Sequence, residues 1–161
     1  MRILGLDPGS RITGYGIIDK IGPDLEFVTC GVIRGDQRLT FPERLLAIHN
    51  GVCDVIDQFQ PTVAGVEDVF VSVNPRSALK LGHARGAIII AALKNGISVR
   101  EYTARVVKQA VAGYGQASKA QVQQMVRALL SLSATPSQDA SDALAVAMCT
   151  ANHLGSMPLI L

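Results

Sequence analysis

The sequence predicts an α/β domain, a mixed five-stranded sheet with helices on both faces. Three observations lead there. Hydrophobic residues make up 48% of the chain and aromatics only 4%, with no Trp, so the core must be filled by Ala, Val, Ile and Leu, the material of helices packed on a sheet. The hydrophobic pattern runs through three strand-like stretches, a helix, a strand, a helix, a strand and then helices. The fourth strand-like stretch, Thr62 to Glu67, is short, β-branched and apolar until its last residue, which marks it as the parallel crossover partner of the first. At 161 residues the chain has the size of one domain and can bury roughly 70% of its unfolded surface. Residues 1–155 are assigned to that domain and 156–161 to a short tail.

Arg2 to Asp7 reads as a buried strand ending in the turn Asp7-Pro8-Gly9-Ser10, where Pro fixes φ and Gly supplies a positive one. Gly14 to Asp19 forms a second strand. After the Gly22-Pro23-Asp24 turn, Leu25 to Arg34 alternates as a third, completing an antiparallel meander. Thr40 with Glu43 makes a capping-box pattern. Leu45, Ile48, Val52, Val55, Ile56 and Phe59 follow at helical spacing up to the stop at Pro61. Asn74 caps the next helix, with Pro75 at its first position, and the helix runs through Ala92 to a stop at Gly96. Ile97 to Tyr102 is the fifth strand. Thr103, Ser118 and Ser137 are N-caps of three further helices, separated by the Gly113-Tyr114-Gly115 loop and the Ala134-Thr135-Pro136 turn. There is no internal repeat or low-complexity tract.

Composition excludes several classes of function. Cys30, Cys53 and Cys149 are odd in number and never form a C-x-x-C pair, which argues against a disulfide framework or zinc ribbon and fits a reducing, cytoplasmic setting. The most apolar stretch, Ala87 to Leu93, is too short for a membrane span. The net charge of +2 hides an asymmetry. Between Phe70 and Gln138 lie Arg76, Lys80, Arg85, Lys94, Arg100, Arg105, Lys108, Lys119 and Arg127 against the single acid Glu101, so this segment is +8 and the remainder −6. Such a segment suits a polyanionic partner, although helices also carry solvated basic residues for solubility.

Four acids stand out by their surroundings. Asp7 ends the apolar run Ile3 to Leu6, and Glu67 ends the run Val63 to Val66. If the two strands form a parallel pair, both side chains emerge at the carboxyl edge of the sheet, where open α/β sheets place their ligands. Asp139 and Asp142 lie three residues apart in a helix of small residues, which sets them on one face with Cβ atoms ~5–6 Å apart. Four carboxylates at one edge raise each other's pKa unless a cation joins them, and hard oxygen ligands suit Mg2+, with Mn2+ as a substitute. Two ions per site, ~3.5–4 Å apart, would clamp a phosphodiester and leave the protein to supply mainly carboxylates. Taken singly, each acid has another reading: Asp7 as a turn former, Glu67 as a structurally paired strand end, Asp139 as a first-turn acid on the helix dipole.

Gly5-Leu6-Asp7-Pro8-Gly9-Ser10, Glu67-Asp68-Val69-Phe70, the block from Ser77 to Gly86, and the block from Asp139 to Ala145 occur in an order and spacing that resemble the RuvC family of Holliday-junction resolvases, within the RNase H-like superfamily. The resemblance runs from Arg2 to about His153. It implies an RNase H-like fold and a structure-selective, Mg2+-dependent endodeoxyribonuclease of recombination and DNA repair, which cuts a four-way DNA junction by paired, symmetric phosphodiester hydrolysis. It also implies that Asp7, Glu67, Asp139 and Asp142 are the catalytic, metal-binding acids. Phe70 matches the family aromatic that stacks on a base at the opened junction, and Lys108 and Lys119 match lysines near the scissile phosphate and backbone. Without the match, Phe70 reads as a loop residue and the lysines as solvated helix residues. Branch-migration proteins RuvA and RuvB are the implied partners. Two departures stand out: Asp68 and His83 each replace a Gln.

Two strands must be cut and one carboxylate cluster is present, which implies a two-fold homodimer. The helix from Pro75 is either part of its surface or buried in its own core. Two other readings stand beside the nuclease. Gly5 to Gly16 also resembles the phosphate-loop hairpin of actin-like and sugar-kinase ATPases, whose two domains exceed 161 residues. A non-catalytic junction-binding module would share the basic segment without needing four convergent acids.

Overall fold

β1 (Arg2–Asp7) is the axis of the molecule because it is apolar toward both faces: Ile3, Leu4 and Leu6 are fully buried. The structure, a computed structural model, describes residues 1–68 and 74–154. β2 (Ile12–Ile21) and β3 (Asp24–Arg34) form the meander, β4 (Val63–Glu67) runs parallel to β1, and β5 (Ser98–Tyr102) runs parallel to β4. The sheet order is β3-β2-β1-β4-β5, mixed and five-stranded as expected. Five helices cover it: α1 (Phe41–Phe59), α2 (Pro75–Lys94), α3 (Ala104–Ala112), α4 (Lys119–Leu129) and α5 (Gln138–Leu154).

Local chemistry sets most boundaries. Thr40 and Glu43 form the reciprocal capping box, Thr40 N–H donating to Glu43 Oε2 at 2.7 Å. Asn74 accepts from the amides of Arg76 and Ser77 ahead of Pro75, and Thr103 and Ser118 cap α3 and α4. The Ser137 hydroxyl accepts from the Ala140 amide at the start of α5. Two details differ from the sequence reading. β2 extends beyond Gly14–Asp19 at both ends because it pairs with β3 from Ile12↔Arg34 to Ile21↔Asp24, past the alternating core. Gly9 does not take a positive φ; glycine is needed there because a Cβ would overlap the carbonyl of Ile12.

The two faces carry separate cores. α1 and α2 pack with Leu4, Leu6, Ile17, Ala64 and Val66, whereas α3, α4 and α5 pack with Ile3, Ile18 and Val63. α5 is buried from Ala140 through Ala151 apart from Asp142. It lies so close because Gly5, Gly14, Gly16 and Gly65 face it, and a Cβ at Gly5 or Gly14 would strike the helix backbone itself, at Ala143 and Asp139. α2 is buried along one side at Ile88, Ala91 and Ala92 and exposes Leu79, Ile90 and Leu93, so it is not wholly enclosed in its own core. None of the described helices is long and apolar enough to cross a membrane.

Candidate active site

The parallel register Leu6↔Val66 places Asp7 and Glu67 as the next residues on neighbouring strands, at the same edge of the sheet. The turn after Asp7 is held by Thr13, whose hydroxyl donates to the Gly9 carbonyl at 3.1 Å. Asp7 is therefore not needed as the turn's acceptor. On the other side of β1, Asp7 pairs with Gly14, and Gly14 lies against the backbone of Asp139. A single glycine thus lets the first turn of α5 descend to the strand end that carries Asp7. Asp142 follows one turn later, its side chain 17% exposed.

The four sequence-selected acids act on one another. Burial first, then the charges of Glu67, Asp142 and Asp139, then a hydrogen bond with Glu67, push Asp7 up to about 8. Glu67 is also raised, by burial and then by Asp142, while its hydrogen bond with Asp7 and the charges of Lys119 and Lys108 pull it back. Without a cation, Asp7 and Glu67 hold a proton between them at neutral pH. Asp142 is engaged by Gln138 Nε2 at 2.8 Å and by Lys119 Nζ at 3.4 Å. Asp142, then desolvation in the opposite sense, then the hydrogen bond act on Lys119, with a net rise.

Both sequence-selected lysines are at this edge. Lys108 on α3 and Lys119 on α4 line a cavity of about 100 Å³ together with Glu67, Asp142, Val107 and Val122. The Lys119 side chain is 71% exposed, so it can reach outward as well as to Asp142. Phe70 lies outside the described residues. Among those residues, no group of three or more His, Cys, Asp or Glu side chains makes a finished cation cage. The chemistry of the donor set nevertheless suits a hard divalent ion: four carboxylates share one edge, and burial together with their charges raises Asp7, so that a cation would displace its proton.

The two departures face away from this centre. Asp68 pairs with Arg85 at 3.5 Å, its side chain 52% exposed. His83 is an exposed residue whose Nδ1 meets the Leu79 carbonyl at 2.7 Å and whose ring packs edge-on to Phe41. Sequence reasoning missed Gln138 and misplaced Arg85. Gln138 was legible, standing four residues before Asp142 on the same helix face. Arg85 counted toward the basic segment, but its side chain is only 18% exposed and is occupied by internal acceptors. Arg127 is exposed and donates to the carbonyls of Leu132 and Ser133 in the turn that follows α4. Of the basic segment, Arg85 is thus spent on internal pairing rather than offered to a partner.

Comparison with known proteins follows this geometry closely. Residues 3–150 match the family model described as crossover junction endodeoxyribonuclease RuvC. The chain is 56% identical over 155 residues to the protein of that name from Geobacter metallireducens, covering 96% of this chain and 94% of the relative. It is 57% identical over 152 residues to that of Geobacter sulfurreducens, covering 94% and 93%. Among solved structures, Thermus thermophilus RuvC in complex with Holliday junction substrate superposes with a TM-score of 0.89 at 34% identity, covering 96% of this chain and 94% of that one. The yeast mitochondrial Holliday junction resolvase, at 11% identity and a TM-score of 0.63 over 92% of this chain and 78% of its own, shares the fold.

Proposed function

The chain belongs to the RuvC family of crossover junction endodeoxyribonucleases, and on that premise we propose that it resolves four-way DNA junctions by paired, symmetric phosphodiester hydrolysis in recombination and repair. The observation that carries the proposal is the edge formed by Asp7, Glu67, Asp139 and Asp142, where burial and then the neighbouring carboxylates push Asp7 up to about 8. Mg2+, or Mn2+ in its place, held by those four acids would activate the attacking water and stabilise the leaving oxygen. The chain's own residues supply the rest. Asp7 and Glu67 release the proton they hold as the site loads. Lys108 and Lys119 contribute positive charge beside Glu67 and Asp142, suited to phosphate oxygens. Gln138 steadies Asp142 from within its own helix.

Two-fold symmetry completes the reading. One cluster per chain cuts one strand, so a homodimer is needed for two cuts, and the exposed Leu79, Ile90 and Leu93 of α2 offer an apolar stripe for self-association. The setting is the cytoplasm, with RuvA and RuvB as partners on the junction. The deciding experiment incubates the protein with a labelled four-way junction in Mg2+ and in chelator. Symmetric nicks that need Mg2+ and vanish in Asp7→Asn and Glu67→Gln, while junction binding persists, support the proposal. Cleavage that is unchanged in either variant would remove that acid from the site. Binding without cleavage under every metal condition would leave only a junction-binding module.

A further inference from the structure

From α2, on the face opposite α5, Arg85 reaches the catalytic edge. Arg85 Nε donates to the main-chain carbonyl of Glu67 at 3.3 Å, its Nη2 lies 3.5 Å from Asp68 Oδ1, and the same nitrogen pairs closely with Glu101. Three acceptors on two strand ends are gathered by one guanidinium, whose planar fork suits several acceptors as an ammonium does not. Glu67 and Tyr102 are paired residues of β4 and β5, and the Asp68 amide donates to the Tyr102 carbonyl at 2.7 Å just beyond that pair. The tips of both strands are thus tied together and to α2 at the residue whose carboxylate meets Asp7.

We propose that Arg85 is a positioning residue of the catalytic edge: by holding the Glu67 carbonyl, Asp68 and Glu101 it fixes the end of β4, and with it the Glu67 carboxylate relative to Asp7. The inference rests on the nuclease reading for its catalytic consequence, but the clamp itself is a property of the metal-free protein. A purely stabilising role is a poor account of this network. The Asp68 and Glu101 side chains are 52% and 54% exposed, so both can hydrate if Arg85 is lost, and half-exposed pairs contribute little to folding. What water cannot replace is the direction in which the Glu67 carbonyl is held.

The test compares Arg85→Ala and Arg85→Lys with Arg2→Ala. Arg2 is a matched control, because it pairs with Asp19 and donates to the Phe59 carbonyl at the opposite edge of the sheet. The first readout is hydrogen exchange of the Asp68 amide in metal-free protein. It should rise about tenfold or more in both Arg85 variants and remain at the wild-type rate in Arg2→Ala. The second is the Mg2+ concentration that gives half-maximal junction cleavage, which should rise at least fivefold in both Arg85 variants, with a smaller loss of rate at saturating Mg2+. The third is the rise in melting temperature on adding Mg2+, which should shrink in the Arg85 variants alone. An unchanged Asp68 exchange rate, or a Mg2+ requirement that moves no further than in Arg2→Ala, would overturn the proposal. Should Arg85→Ala not fold, Arg85→Lys and Glu101→Gln carry the same three readouts. If wild type cuts no junction, the nuclease reading fails while exchange and metal-dependent melting still judge the clamp.

Discussion

Replacing Asp7 with Asn should make the metal-free protein more stable while abolishing cleavage. Asp7 stands at about 8 in the folded state against 3.8 for the free side chain, because it is buried among Glu67, Asp142 and Asp139. For an acid with a raised folded value, the folded state keeps a proton that the unfolded state has already lost. Its contribution is therefore most favourable at or below pH ~4, declines as pH rises, and levels off above about 8. At pH 7 the interval from 3.8 is about three pH units, each ~1.36 kcal/mol, so keeping this acid costs about 4 kcal/mol of stability. Asn is neutral, nearly isosteric and able to donate to Glu67. Allowing for solvent relaxation around the cluster, Asp7→Asn should gain roughly 2–4 kcal/mol, a rise in Tm of about 4–16 °C for a chain of this size. Calorimetry in chelator between pH 5 and pH 8 provides the assay. The gap between variant and wild type should widen with pH, and Mg2+ should narrow it by stabilising wild type alone. A variant that melts at or below wild type at pH 7, or a gap that does not change with pH, would refute the electrostatic account of the edge.

Other outcomes follow from the same geometry. Lys108→Ala and Lys119→Ala should each lower the magnitude of the salt slope of junction binding by about one if each meets one phosphate, read from binding titrations at several salt concentrations. An unchanged slope with unchanged cleavage would assign that lysine to the solvated surface. Gly14→Ala should destabilise the fold by roughly 1–3 kcal/mol, since the new methyl meets the backbone of Asp139, and should weaken metal-dependent melting more than Gly65→Ala, whose methyl meets the Thr150 side chain rather than the backbone of one of the four acids, as calorimetry with and without Mg2+ would show. Thr40→Ala removes the side-chain half of the α1 capping box, leaving the backbone N–H of residue 40 on Glu43, and should cost about 1 kcal/mol with no effect on cleavage at saturating Mg2+. On a supercoiled plasmid with an extruded cruciform, heterodimers of wild type and Asp7→Asn should leave single nicks where wild type linearises; paired cuts from a monomer would refute the dimer.

The fold was legible because its signals are local. Thr40 with Glu43, Asn74 with Pro75, and the short apolar run into Glu67 each declare an element within a few residues. Of the site, the acids could be selected from their positions at strand ends and on one helix face, since strand parity and helical spacing carry direction. The partners of those acids were less legible, because they depend on distances between elements. Arg85 looked like a surface cation until the structure placed Glu67, Asp68 and Glu101 around it. The depth of α5 on the sheet was hidden for a similar reason: Gly5, Gly14, Gly16 and Gly65 are scattered over two sequence regions, and only the register of β1, β2 and β4 aligns them under one helix. His83 and Asp68 could be noticed as departures, but only their contacts show that both turn away from the acids.

The placement of α5 also fixes when a nascent chain can become competent. Asp7 and Glu67 leave the ribosome early, whereas the helix that carries Asp139 and Asp142 and covers Ile3, Ile18 and Val63 is the last described element to be made. At ~5–20 residues per second, the interval between Asp7 and Asp142 is on the order of ten seconds. Throughout that interval the sheet lacks the cover for one face, and the glycine trough has nothing to receive. If the proposed site is the nuclease centre, a chain still lacking α5 has two of its four carboxylates and should not cut DNA. Completion of the four-carboxylate edge and closure of the second core both wait on the same helix, α5.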